Sequence, residues 1–362
     1  MYFDYAASSI KRKDIIKDLI DNIDLYEANP NATYALGRTS KMHLENARKK
    51  IANSINTNSN HIIFTSGASE SNNMIINNFK NQNIITSKIE HKSILEPVKA
   101  NCGNDIFINV NENGIIDFEE FKSQINEDTN LVSIMYVNNE TGAIQPVKKI
   151  GKYINEINKK EGYNIWFHID TVQAYGHIDI DVEKLYCDSI SLSGHKIGGL
   201  NGVGVLYIKN RIEPFIFGGG QESGIRSGTQ NVIGAMSMAN SIEKLKGEYE
   251  QVLNIKKYFL NNLKVPYEIN GDINNTVNHI VNLYFPFVKS DLLLTFLDTK
   301  NIFVSAGSAC NAGALEPSYV IEEMYNEDRA MHSIRFSFGF TNTKEEVDIL
   351  IKAIEEMYER KK

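Results

Sequence analysis

From about residue 15 to residue 250, short apolar runs alternate with longer segments of helical periodicity. Runs of this length that are rich in Ile, Val, Leu and Phe are typical of buried strands, and segments such as 44–55 and 150–160 are typical of helices. The predicted strands are 61–65, 83–87, 131–136, 165–169, 189–192 and 204–208. This alternation predicts an α/β domain with a mainly parallel sheet.

The pattern changes after the glycines at 218–220 and a helical region that ends near residue 250. Strand-like runs near 279–284 and 333–337 and a closing helix near 344–358 indicate an α+β unit. Because single cores usually stop growing at about 250 to 300 residues, the 362-residue chain is expected to form two domains. We predict a large domain over 15–250 and a small C-terminal domain over 251–362, with which we group residues 1–14.

Composition excludes several classes of function. The net charge is −7, and no concentrated basic surface is evident, so a direct nucleic-acid ligand is not expected. The three cysteines form no C-x-x-C pair, which argues against a disulfide framework or a zinc site and predicts a reducing, cytoplasmic setting. The first residues lack the features of a signal peptide, and no apolar run approaches the length of a membrane span. We therefore predict a protein that is neither exported nor embedded in a membrane.

A turn of small residues, 66–69 (SGAS), follows the first predicted strand and precedes a helix. In parallel sheets, ligands bind at the carboxyl ends of the strands. Backbone N–H groups at the start of a helix bind phosphate, and small residues let the anion approach. A serine-rich turn before a helix is also typical of a simple N-cap, so this signal needs support from elsewhere in the chain.

Support comes from Lys196, in the segment Ser193-Gly194-His195-Lys196, and from Asp170, each of which follows a predicted strand. A lysine in a cleft can form a Schiff base with a carbonyl cofactor. A carboxylate near it can keep the pyridine nitrogen of pyridoxal phosphate protonated. Either residue alone would more often be a solvated surface residue, so the pair carries the hypothesis.

Short segments in one order along the chain match a single family. They are 2–7 (YFDYAA), 29–30 (NP), 64–72 (FTSGASESN), 90–91 (EH), 137–142 (VNNETG), 168–170 (HID), 193–196 (SGHK), 226–229 (RSGT), 307–310 (GSAC) and 333–337 (SIRFS). From end to end, the chain resembles the cysteine desulfurases of the class V aminotransferase group, which are fold type I pyridoxal-phosphate enzymes. The resemblance implies a large domain with a mainly parallel seven-stranded sheet flanked by helices, and a smaller α+β C-terminal domain.

The resemblance also implies roles around the cofactor, pyridoxal 5′-phosphate. Lys196 would carry the Schiff base, Asp170 would face the pyridine nitrogen, and His91 would stack on the ring and assist proton transfer. Gln173 would hydrogen-bond to the ring hydroxyl. The implied phosphate ligands are Ala68, Ser69, Ser193 and His195, joined by Thr229 from the other subunit of a homodimer with a shared active site.

For the substrate, the resemblance implies that Asn138 and Arg335 bind the carboxylate of L-cysteine, to which a guanidinium offers a bidentate match. Cys310 lies in a run of small residues, 305–314, which favours a mobile loop and a reactive thiol. For Cys102 and Cys187 we expect buried, inert thiols. The resemblance implies that Cys310 accepts the sulfur as a persulfide, that L-alanine leaves, and that an iron–sulfur scaffold or a tRNA-thiolation enzyme receives the sulfur.

Three alternatives stay open. The first is another pyridoxal-phosphate reaction, namely selenocysteine lyase, cysteine-sulfinate lyase or transamination, none of which needs a thiol at Cys310. The second is a metal hydrolase that would use His91, His168, Asp170 and His195, although the pyridoxal-phosphate hypothesis predicts no metal. The third is an inactive sulfur-relay scaffold. Two departures from the family, at 198–201 (GGLN) and at Ser223, are expected to affect the substrate entrance or the partner surface.

Overall fold

The structure is a computed structural model that describes residues 1–245, 247–307 and 317–362. Cys310, the predicted sulfur acceptor, lies outside the described residues. Within those ranges the strands form one sheet of seven and one of three. The strands are β1 Ile62–Thr65, β2 Asn83–Ser87, β3 Ile106–Ile108, β4 Thr129–Ser133, β5 Trp166–Asp170, β6 Ser189–Ser193, β7 Gly204–Ile208, β8 Glu268–Ile269, β9 Ile280–Tyr284 and β10 Ser333–Ser337.

Helices flank both sheets. They are α1 Lys13–Asp21, α2 Ala35–Ser54, α3 Ala68–Asn78, α4 Lys92–Lys99, α5 Phe118–Gln124, α6 Val147–Glu161, α7 Val182–Leu185, α8 Val232–Leu245, α9 Tyr249–Asn262, α10 Ser290–Thr299, α11 Tyr319–Met324, α12 Glu327–Met331 and α13 Lys344–Glu359. In the part of the chain that the structure describes, none of them is long and apolar enough to cross a membrane.

The large sheet has the strand order β1-β7-β6-β5-β4-β2-β3. Strand β7 is antiparallel to both of its neighbours, and the remaining pairs, β6–β5, β5–β4, β4–β2 and β2–β3, are parallel. The predicted α/β fold with a mainly parallel sheet is confirmed. Because β1, β5 and β6 run in the same direction, their carboxyl ends meet at one edge of the sheet, where ligands bind in such folds.

Close packing at Gly204 brings the end of β1 against the start of β7. Gly204 pairs with Thr65 on one side and with Ser193 on the other. A Cβ atom at Gly204 would lie 2.5 Å from the Cα atom of Gly67, so a larger residue would push the turn after β1 away. The glycine therefore lets that turn lie beside the end of β6.

Apolar side chains form two main clusters. One packs on one face of the large sheet, and a smaller cluster packs on its other face, so the central strands are buried on both faces, as in parallel sheets covered by helices. The other main cluster surrounds the small antiparallel sheet and includes Phe259, Phe336 and Leu350. The N-terminus contributes Phe3 to this second cluster, and Asp4 forms a bridge with Ser337 of β10. The division into domains at residues 14 and 250 stays a prediction.

Candidate active site

The carboxyl ends of β1, β5 and β6 border a cavity of about 380 Å³. Most of the residues predicted from the sequence to form the site line this one cavity. They are Ala68, Ser69, His91, Asp170, Gln173, Ser193, His195, Lys196 and Arg335. The fold thus collects side chains that lie far apart in the sequence into one place.

The turn after β1 forms one end of the cavity. It leads directly into α3, whose first residues are Ala68 and Ser69, and a Cβ atom at Gly67 would meet nothing within 4 Å. The first N–H groups of a helix have no partner within the helix and attract anions. The end of α3 that faces the cavity therefore offers donors, with room for a phosphate to approach them.

An acidic side chain, Glu70, also lines this end of the cavity. Burial would raise its pKa, but the hydrogen bonds from Arg226 and Ser66 outweigh burial and lower it. Its carboxylate pairs with Arg226, with 2.8 Å between Oε1 and Nε. The arginine thereby neutralises a charge that would otherwise repel an anion at the start of α3.

Asp170 ends β5 and is held by two donors. Its Oδ1 accepts from the Val172 N–H at 3.0 Å, and its Oδ2 accepts from Asn72 Nδ2 at 2.9 Å. Asn72 is itself fixed, because its Oδ1 lies 3.1 Å from His168 Nε2. Burial lowers the pKa of His168 to about 3, so its imidazole is neutral at physiological pH. Asn72 and His168 therefore set the direction of the Asp170 carboxylate.

Lys196 lies in the short helical turn that follows β6. Its Nζ donates to the carbonyl oxygens of Ala6 and Ala7, at 2.6 and 2.9 Å. The Ala6 carbonyl also accepts from Gln173 Nε2 at 2.9 Å. The N-terminal segment thus holds the lysine amine and the glutamine amide at one wall of the cavity, a role that local sequence pattern does not reveal.

His91 begins α4 as its N-cap, and its Nδ1 accepts from the Ser93 N–H at 3.1 Å. Burial lowers the pKa of His91, which Asp170 opposes and Lys196 reinforces. Burial, with Lys196 nearby, also lowers the pKa of His195, to about 4. Because a neutral imidazole can take up a proton, His91 is suited to acid–base work in the cavity.

Arg335 places a buried cation at the side of the cavity that faces β10. Its side chain is 2% exposed, Nη1 donates to the Asn139 carbonyl at 2.8 Å, and Nη2 donates to Asp4 Oδ1 at 2.7 Å. Its Nε has no hydrogen-bond partner among the described residues. The guanidinium is thus fixed in place and retains a donor, which suits recognition of a carboxylate.

The structure does not bring Asn138 or Thr229 to this cavity. Asn138 is buried in its own turn, where Oδ1 accepts from the N–H groups of Glu140 and Thr141 and Nδ2 donates to the Ile89 carbonyl. The next residue, Asn139, lines the cavity instead, and sequence reasoning missed it. Thr229 is exposed and lies outside the cavity wall of its own chain, so its role across a dimer stays a prediction.

For the metal-hydrolase alternative, the geometry gives no support. Across residues 1–245, 247–307 and 317–362, no group of three or more His, Cys, Asp or Glu side chains is placed to hold a metal. The ring nitrogens of His168 instead contact Ser189 and Asn72. This histidine serves the hydrogen-bond network behind Asp170.

Comparison with known proteins agrees with this geometry. The profile of the family described as Aminotransferase class-V matches residues 1–350. The chain belongs to the class-V aminotransferases. It is 36% identical to the cysteine desulfurase IscS of Dictyoglomus turgidum, over 99% of this chain and 95% of that protein.

Two solved structures show the same likeness. A NifS-like protein matches with a TM-score of 0.90 and 33% identity, over 99% of each chain. The protein SspA, solved in complex with cysteine, matches with a TM-score of 0.81 and 30% identity, over 93% of this chain and 98% of that one. The two structures confirm the fold, and the second of them holds cysteine.

Class-V aminotransferases use pyridoxal 5′-phosphate, which is also the cofactor of this chain. The cavity fits it chemically. The open N-terminus of α3 suits the phosphate, the amine of Lys196 suits the aldehyde, and the carboxylate of Asp170 suits the pyridine nitrogen. A phosphate, a carbonyl and a ring nitrogen thus each find a complementary group in one cavity.

Proposed function

We propose that this class-V aminotransferase is a cysteine desulfurase, which converts L-cysteine to L-alanine and passes the sulfur through Cys310 to an acceptor. The observation that carries the proposal is the presence of Lys196, Asp170 and the buried guanidinium of Arg335 in one cavity. Together these groups suit an amino-acid substrate and a pyridoxal cofactor. The desulfurase relatives, which match along almost the full chain, support the choice of cysteine.

Substrate binding is assigned to the side of the cavity formed by Arg335. The guanidinium is already held by the Asn139 carbonyl and by Asp4, so little conformational entropy is lost when it binds a carboxylate. Asn139 lines the same cavity, and its Oδ1 has no partner among the described residues. We assign the substrate carboxylate to Arg335 and a polar contact with the substrate to Asn139.

Proton transfer is assigned to Lys196 and His91. When bound, pyridoxal phosphate draws electrons away from Cα of the amino acid, which makes its C–H bond acidic. The Nζ atom of Lys196 would take that proton and return it later in the reaction. His91, kept neutral by burial, accepts or donates a second proton from the same cavity.

Sulfur transfer is assigned to Cys310 from the sequence resemblance. Its thiolate attacks the sulfur of the substrate, so that a sulfur–sulfur bond forms while the Cβ–sulfur bond breaks. The electron pair of the broken bond stays with the organic fragment, which takes up protons and leaves as alanine. Among the described residues, Gly307 and Ser318 both lie close to Glu140, which follows the cavity residue Asn139 in the sequence.

We extend the proposal to a cytoplasmic homodimer that shares its active sites and hands sulfur to a scaffold or a tRNA-thiolation enzyme. Exposed apolar side chains suit an interface between two copies, with exposed fractions of 58% for Tyr34, 57% for Leu36 and 81% for Phe217. Thr229 is exposed, as a ligand to the partner's cofactor would be in an isolated chain. The cytoplasmic setting rests on the cysteine content.

The function is tested with the purified holoenzyme and L-cysteine. We expect alanine and sulfide in equal amounts when a thiol reductant is present, because each turnover leaves one sulfur on the enzyme and the reductant releases it. Amino-acid analysis measures the alanine, and a colorimetric assay measures the sulfide. Formation of pyruvate and ammonia in place of alanine would show elimination and contradict the proposal.

Asp170→Asn is expected to lower kcat/KM by roughly 10- to 100-fold. The variant loses the charged hydrogen bond between the carboxylate and the pyridine nitrogen of the cofactor, and a hydrogen bond to a charged group contributes about 1.5–3 kcal/mol. The new amide nitrogen would face either the Val172 N–H or Asn72 Nδ2, so two donors would oppose each other. Steady-state kinetics measure the loss, and circular dichroism checks the fold.

Asp188→Asn is the matched control. Asp188 also accepts a backbone N–H at a strand of the large sheet, from Phe167 at 2.9 Å, but does not line the cavity. We expect the kcat/KM of this variant to stay within about twofold of the unmodified enzyme, because Asp188 lies away from the reacting groups and substitutions at such positions usually have small effects. An equal loss in both variants would refute the role of Asp170.

A further inference from the structure

Two buried histidines, His177 and His279, stack face to face beside Gln173. Their ring centroids are 3.6 Å apart, and the ring planes differ by 17°. His177 follows β5 of the large sheet, and His279 immediately precedes β9 of the small sheet. Neither ring lines the 380 Å³ cavity, but His279 Nε2 lies 3.2 Å from Gln173 Oε1, and Gln173 does line it. The pair is therefore one contact away from the site.

The contacts of Gln173 fix which way its amide points. A backbone carbonyl only accepts hydrogen bonds, so the group that faces the Ala6 oxygen at 2.9 Å is the NH2 of Gln173. The amide oxygen then faces His279 Nε2. Because an amide oxygen also only accepts, His279 must carry its proton on Nε2.

The same reasoning fixes the opposite tautomer for His177. The Asn278 NH2 group donates to the Tyr249 carbonyl at 3.2 Å, so Asn278 Oδ1 faces His177 Nδ1 at 3.1 Å. His177 therefore carries its proton on Nδ1. The two stacked rings are predicted to be different tautomers, Nδ1–H in His177 and Nε2–H in His279.

The surroundings keep both rings neutral. Burial lowers the pKa of His279 well below its usual value, and His177, Lys256, Arg335 and Lys196 lower it further. Burial also lowers the pKa of His177, to about 4. Each imidazole thus has a single N–H, and His279 directs its own at Gln173.

A packing role alone does not explain an imidazole at position 279. Its Nδ1 is buried and has no hydrogen-bond partner among the described residues, which costs free energy. A phenyl ring would stack on His177 without that cost. What the imidazole adds is the Nε2–H that holds the oxygen of Gln173.

We propose that His279 is a positioning residue, which locks the Gln173 amide so that its NH2 group lies on the side of Ala6 and the cofactor. Gln173 then acts on the ring hydroxyl of pyridoxal phosphate as a hydrogen-bond donor. Without His279, the Ala6 carbonyl alone orients the amide, and the NH2 group is held less firmly toward the ring. The inference rests on the contact between Gln173 and the ring hydroxyl that the family resemblance implies.

The first test is a spectroscopic titration of the His279→Phe holoenzyme, since the phenyl ring retains the stack and removes the N–H. We expect the pH midpoint of the visible absorption band to move upward by roughly half to one unit. A ring oxygen that has lost its donor holds a proton more tightly, and one neutral hydrogen bond corresponds to about that shift. His177→Phe, which leaves the contact between His279 and Gln173 in place, is expected to keep the midpoint. Equal shifts in both variants, or a shift in neither, would overturn the proposal.

The second test uses the apoprotein and stays informative if His279→Phe does not fold. Labelling the histidine rings with 15N and recording their NMR spectra at neutral pH distinguishes the two tautomers and the imidazolium. We expect Nε2–H for His279 and Nδ1–H for His177. An imidazolium or an Nδ1–H tautomer at His279 would refute the lock. Neither test depends on desulfuration, so an enzyme that failed to release alanine would contradict only the proposed function.

Discussion

Lys196→Ala is expected to remove the visible absorption band of the holoenzyme and to lower alanine release from L-cysteine by roughly 100- to 10,000-fold. The size of the loss is that of a positioned general base. The band disappears because alanine has no amine with which to bond the cofactor aldehyde. Absorption spectra of the purified variant and discontinuous alanine assays measure both effects.

The variant must be separated from a protein that has lost its fold. Lys196→Ala also removes two hydrogen bonds, to the carbonyls of Ala6 and Ala7, which together are worth about 1–3 kcal/mol. Lys11→Ala is the matched control, because Lys11 contacts the same N-terminal segment through Ser8 and Ser9 but does not line the cavity. We expect the control to keep its band and its rate. An unchanged spectrum in Lys196→Ala would exclude the lysine as the site of attachment.

The strands of the large sheet could be predicted because most of them are buried on both faces and therefore form continuous apolar runs in the sequence. The predicted run 61–65 corresponds to β1, and 204–208 coincides with β7. Strand β3, at the edge of the sheet, was missed because it has only three residues and is partly exposed. The helix predicted at 44–55 begins at Ala35. Its first turns were missed because they carry exposed apolar residues and so show no buried apolar stripe.

The location of Asp170 and Lys196 at the cavity could be predicted, because Asp170 ends one strand and Lys196 closely follows another. Hydrogen-bond partners that come from a distant segment of the chain could not be predicted. Asn72 in α3 reaches Asp170, and the carbonyl of Ala6 reaches Lys196, through contacts that leave no periodic signal. Asn138 and Asn139 are adjacent and chemically identical, so the sequence does not show which of them faces the cavity. The backbone conformation turns Asn139 toward it.

Cys310→Ser is expected to reduce alanine release from L-cysteine to near background while the holoenzyme keeps its visible band. A hydroxyl attacks sulfur far less readily than a thiolate, of which a few per cent is present at neutral pH. The substrate should still change the absorption spectrum, because its binding uses Lys196 and Arg335 and no thiol. Rapid-mixing spectroscopy and alanine assays measure the two steps separately.

The other two cysteines provide the controls. Cys102 is exposed, so the prediction that its thiol is buried was wrong, and Cys102→Ser tests whether any accessible thiol can take the sulfur. Cys187 is buried, and burial raises the pKa of its thiol, which keeps it protonated and unreactive. Both thiols lie outside the cavity wall. We therefore expect Cys102→Ser to release alanine at the unmodified rate.

Mass spectrometry decides which thiol receives the sulfur. After L-cysteine is added, the peptide that contains Cys310 should gain one sulfur atom that a reductant removes, and the peptides of Cys102 and Cys187 should not. Desulfuration needs a protein thiol to receive the sulfur, whereas lyase and transamination reactions on the same cofactor do not. If Cys310→Ser released alanine from L-cysteine at the unmodified rate, the thiol would be dispensable, and a lyase reaction would account for the site.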